Sequence, residues 1–161
     1  MTRKRKLIAA LASGIAAVAL AGAAIATAGT ASKNVNQLAG TWSVTLNRPA
    51  PAPPLTSLQV YTGTGSMVES ANDSASRSPQ YGSWQRLAER EYAATAVFFR
   101  FDPQTGAFAG KQKINRTIEL SNNGQSFTFH GRATLYDANG NVLATVPVSG
   151  SGQRLQVEPE S

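Results

Sequence analysis

Leu38-Ala39-Gly40-Thr41-Trp42-Ser43-Val44-Thr45-Leu46 places Trp42, Val44 and Leu46 on one face of an extended chain, and Thr41, Ser43 and Thr45 on the other. Alternation with a period of two marks a strand with one buried face. Gly40 permits a close turn just before a large aromatic enters the core. The same grammar continues to the C-terminus. After the stiff, donor-poor run Arg48-Pro49-Ala50-Pro51-Ala52-Pro53-Pro54, strands are predicted over 55–62, 66–70, 81–87, 91–102, 111–120, 126–137 and 142–157. Turn chemistry separates them: Gly63-Thr64-Gly65, a polar loop over 71–79, Pro103-Gln104-Thr105-Gly106, Asn122-Asn123-Gly124 and Asp137-Ala138-Asn139-Gly140-Asn141. Pro147 is expected to mark a bulge or bend in the last strand. No segment beyond residue 28 has a helical period. Eight strands at such spacing predict an all-β, antiparallel up-and-down barrel, wide enough to be filled by side chains or to hold one small ligand.

Gly40-Thr41-Trp42 at the head of the first strand, with Arg154 at the end of the last, resembles the calycins, the superfamily of lipocalin-like barrels. The resemblance implies that Arg154 packs on the Trp42 indole and closes one end of the barrel. It also implies a long first loop over the opposite mouth, where the proline run stands. The Thr-Asp-Tyr motif of lipocalins has no counterpart before the seventh strand, and Trp84 is the one further tryptophan, so the biotin site of avidins is not expected.

The N-terminus reads as a secretory leader: basic Met1-Thr2-Arg3-Lys4-Arg5-Lys6, an apolar run from Leu7 to Leu20, and the small-residue cleavage signal Ala26-Thr27-Ala28. The expected organisation is a leader over 1–28, a polar lead-in over 29–37, a barrel over 38–157 and a short tail over 158–161. Removing 28 of 161 residues leaves 133, enough for one core. Arg3, Lys4, Arg5 and Lys6 account for four of the six net positive charges, so the processed chain carries +2 with its cations scattered. A nucleic-acid partner is therefore not expected, nor a membrane span after cleavage. The absence of cysteine excludes disulfides and cysteine lipidation, and leaves stability to the core. The compartment expected is extracellular, periplasmic or cell envelope, and the protein is expected to be a monomer.

Parity, read from the apolar residues, aims Trp42, Val44 and Leu46 at the lumen, with Leu58 and Val60 from the second strand. It adds Ala93, Thr95, Val97, Phe99 and Phe101 from the fifth, and Phe127, Phe129, Gly131, Ala133 and Leu135 from the seventh. The small members among them leave two outcomes open, a dry filled core or a cavity. On the sixth strand Arg116 falls between Ile114 and Ile118. An inward guanidinium must meet a carboxylate such as Glu69, water or a ligand, and the alternative is a bulge that turns it to solvent. His130 falls on the outer face, and no metal-ligand set, phosphate loop or nucleophile triad stands out, so neither metal nor cofactor is expected.

The function expected from these features is reversible, non-catalytic binding of a small apolar or amphipathic molecule. Leu58, Val60, Thr95, Phe99, Phe101, Arg116, Phe127 and Phe129 would contact it, and Trp42 and Arg154 would close the barrel. Two rival readings remain: an enzyme resembling allene oxide cyclases, with Glu69 and Arg116 as its candidate groups, and an envelope interaction or inhibitor protein acting through its loops.

Overall fold

A computed structural model describes residues 37–48 and 52–160. The leader, its cleavage signal, the lead-in up to residue 36, and 49–51 of the proline run lie outside the described residues. The strands are β1 (Gly40–Leu46), β2 (Leu55–Tyr61), β3 (Ser66–Ala71), β4 (Gln80–Arg86), β5 (Glu91–Phe101), β6 (Phe108–Leu120), β7 (Ser126–Tyr136) and β8 (Val142–Arg154). Each pairs antiparallel with its neighbours in sequence, and β1 pairs with β8, closing the sheet into an eight-stranded barrel. Closure leaves no strand edge exposed for pairing with another chain. This all-β architecture fits a calycin-like fold.

Strand ends fall close to where turn residues place them. The exceptions are β6, which begins three residues earlier than expected, beyond a register shift in the β5–β6 pairing between Arg100 and Phe101, and β8, which ends at Arg154 and not at the expected 157. Pro147 causes no bulge: it pairs in register with Arg132, and the irregularity lies between Leu135 and Tyr136. Pro147 lies beyond the β1–β8 pairing, which ends at Leu46↔Gly150, so a missing N–H is tolerated there. The Asp137 turn is a hairpin connection whose carboxylate Oδ1 accepts from the Asn139 and Asn141 backbone N–H groups at 2.9 and 2.8 Å.

Two strands present the opposite parity to that expected. In β2 the buried positions are Leu55, Ser57, Gln59 and Tyr61, while Leu58 and Val60 face outward, 53% and 41% exposed. In β5 the buried positions are Tyr92, Ala94, Ala96 and Phe98; Thr95 and Phe99 are exposed, and Ala93 and Val97 are half-buried on the same outer side. Both faces of β5 are apolar, so alternation alone cannot choose between them. On β2 the polar face is the buried one, which no hydrophobicity rule selects. The displaced residues join an outer apolar row, with Val60, Val68, Tyr81 and Val97 paired in register across four strands.

Candidate functional site

The interior has two apolar clusters separated by a polar layer. The larger one contains Trp42, Val44, Tyr61, Met67, Trp84, Tyr92, Ile118, Leu120, Phe127 and Phe129. It fills the end where β1 begins and β8 finishes. The Trp42 and Phe127 rings lie 4.8 Å apart, and the Trp42 indole N–H donates to the Leu38 carbonyl at 2.9 Å. Phe127 and Phe129 lie over Gly152 and Gly150, their cross-strand partners on β8, where any Cβ would collide with the rings.

Arg154 caps this end. Its guanidinium sits 4.2 Å from the Trp42 ring centroid, well within cation–π range. It donates to the Gly124 and Ala39 carbonyls at 2.8 Å each, and also to that of Gln37. Gly40 has a φ of 138°, which favours glycine there, and a Cβ on residue 40 would also push the Arg154 guanidinium out of its place. Desolvation lowers the Arg154 pKa, opposed by the nearby Tyr92.

Gln59, Glu69 and Gln80 form the polar layer as one in-register inward row on β2, β3 and β4. Arg77, from the β3–β4 connection, donates to Glu69 at 2.8 Å and to Gln80 at 3.3 Å, and stacks 3.9 Å from the Phe98 centroid. Gln59 donates to Glu69 at 2.9 Å and to Ser57 at 3.2 Å. From the opposite wall the buried Arg116 donates to Gln59 at 2.9 Å and to the Tyr61 hydroxyl at 2.8 Å, and that hydroxyl donates to Gln59 at 2.8 Å. Arg116 therefore points inward; it reaches Glu69 only through Gln59, and makes no ion pair among the described residues. Burial pushes the Tyr61 pKa up to about 12, with Arg116 opposing and Glu69 reinforcing the shift.

Above this layer the barrel opens into a cavity of about 400 Å³. Apolar side chains of β5–β8 line it, Phe98, Phe101, Ile114, Ala133, Leu135 and Val146. Arg48, Arg77, Arg100 and Asp73 line it as well, Arg100 from β5 itself, with Gln112 of β6. Ala133 is fully buried, and with Phe98 and Ile114 it forms the second, smaller apolar cluster. Arg48 and Leu55, which flank the proline run, both line this mouth.

Of the residues named from sequence as ligand contacts, Phe101 lines the cavity. Arg116, Phe127 and Phe129 face the lumen but lie below the cavity, in the polar layer and the sealed cluster. Leu58, Val60, Thr95 and Phe99 are on the outer surface, a correction to the parity chosen for β2 and β5. Sequence reasoning missed Arg77 and Arg100. Arg77 sits in a loop, where parity has no meaning, and an inward reading of Phe99 on β5 leaves its neighbour Arg100 out of the lumen. A search against protein-family models, curated proteins and solved structures finds no match for this chain in any of the three.

Proposed function

We propose that this is an exported protein of the calycin superfamily that binds a small apolar or amphipathic molecule reversibly in the open half of its barrel, without transforming it. The observation that carries the reading is the cavity of about 400 Å³, lined in part by apolar side chains of β5–β8 and floored by a hydrogen-bonded polar layer. Burying 200–300 Å² of ligand contributes roughly 5–8 kcal/mol at about 25 cal/mol per Å², before ordering costs. The Gly40-x-Trp42 opening and the Arg154 stack support the superfamily. The leader supports export, and exported protein should begin at Gly29 by N-terminal sequencing. Glu69 and Arg116, the candidate groups of the cyclase reading, are both hydrogen-bonded to Gln59 beneath the cavity, which favours binding over catalysis.

A fluorescent apolar probe should bind at one per chain with about micromolar affinity, near −8 kcal/mol. Ala133→Phe fills the cavity from its wall, and Val146→Trp blocks it from the half-exposed rim. Both variants should lose the probe while keeping the far-ultraviolet circular dichroism of the native barrel. Native protein that fails to bind, or folded variants that bind equally well, would refute the lumen as the ligand site. Mass spectrometry of molecules that co-purify with the exported protein then identifies the ligand.

A further inference from the structure

Arg77 and Arg100 face each other in an antiparallel bridge between the β3–β4 connection and β5. The bridge is set by Ser78 N–H donating to the Phe99 carbonyl and Phe101 N–H donating to that of Ser76, each at 2.9 Å. Both guanidiniums consequently line one wall of the cavity. Like charges directly opposite on one face of a sheet repel. Arg77 is compensated by Glu69 at 2.8 Å and by Asp73 at 3.7 Å. Arg100 has no ion pair among the described residues, and its Nη1 is buried without a hydrogen-bond partner. A buried donor left unmade is costly, more so on a charged group. Arg48 at the rim shares Asp73, at 3.3 Å. Three guanidiniums thus meet two carboxylates around the cavity, leaving a surplus of one positive charge, and Arg116 below adds to the imbalance.

Resting on the lumen-binding reading above, we propose that the ligand is an amphipathic monoanion. Its head, a carboxylate or a group of equal charge, lies on the Arg100 guanidinium beside Arg77. Its apolar chain lies along Ile114, Leu135 and Val146. A guanidinium presents a planar fork that accepts such a head with two parallel hydrogen bonds, and the head also separates the two facing cations. A neutral or cationic head leaves Arg100 unpaired and is disfavoured.

Isothermal titration of the full chain with dodecanoate, dodecyl sulfate, dodecanol and dodecyltrimethylammonium tests this, below their micellar concentrations. Both anions should bind at least about tenfold more tightly than the alcohol, and the cation most weakly. Added salt should weaken the anions more than the alcohol. Arg100→Gln should abolish the difference between dodecanoate and dodecanol. If that variant does not fold, the head-group series and its salt dependence on the native protein decide the matter. Equal binding of dodecanoate and dodecanol would overturn the anion assignment and leave the cavity reading standing. Binding of none of the four would overturn both. A preference for the anion that survives Arg100→Gln in folded protein would remove Arg100 from the site.

Discussion

The two halves of the barrel interior use the same eight strands differently. The sealed half is packed with interlocking rings, and the Arg154 that caps it is satisfied by carbonyls around the rim. The open half has one small apolar cluster, facing cations and unfilled space. The polar layer keeps the two apart, since it prevents the apolar side chains above and below from merging into one cluster. Stability is thereby concentrated at one end, and the other end is free to keep a cavity. An empty volume in a uniformly packed core would cost stability in proportion to its size. Here the missing contacts are confined to a mouth open to solvent.

If that division holds, the largest effect should come from the sealed half. Trp42→Ala should lower unfolding free energy by roughly 3–5 kcal/mol, as measured by urea denaturation. Arg154→Ala, which removes the cap while leaving the ring, should cost about 1–2 kcal/mol, above the few tenths of a surface site. A loss under about 1 kcal/mol for Trp42→Ala would break the comparison, because the ring would then not anchor the closed end.

The boundary layer should show itself in alkali. The Tyr61 hydroxyl, raised to about 12 by burial, stays protonated in the folded chain after the unfolded chain has begun to ionise near 10. Its contribution is fully present below pH 10 and is lost as pH rises from about 10 to 12, by roughly 2–3 kcal/mol. Stability of native protein across that window should fall more steeply than that of Tyr61→Phe. Parallel slopes would show that the hydroxyl is not held neutral.

The smallest effect is expected in the open half. Leu135 is half-buried and already borders the cavity, so Leu135→Ala enlarges existing space and should cost less than about 1 kcal/mol. The same variant should weaken binding of the apolar probe several-fold. A stability loss matching that of Trp42→Ala would show that the two ends are packed alike.

Turn residues and the outward periodicity of most strands were enough, read along the chain alone, to locate eight strands and their order. Those features are local: a glycine or Asn-Gly turn acts on its own few residues, and alternation is visible wherever one face is polar. The pairing of Trp42 with Arg154 came from the resemblance to calycins, and closure brings their two strand ends together. The inward orientation of Phe127, Phe129 and Ala133 was legible from alternation, since β7 alternates them with Thr128, His130, Arg132 and Thr134. The tertiary structure alone decided which face of β2 and β5 turns inward. Buried Ser57 and Gln59 are stable only because Glu69 and Arg116 arrive from other strands, with Tyr61 of β2 itself, to satisfy them. It also decided the cavity wall. Arg77 and Arg100 are brought together by a bridge between a loop and a strand 23 positions apart, and no periodicity along the chain encodes that meeting.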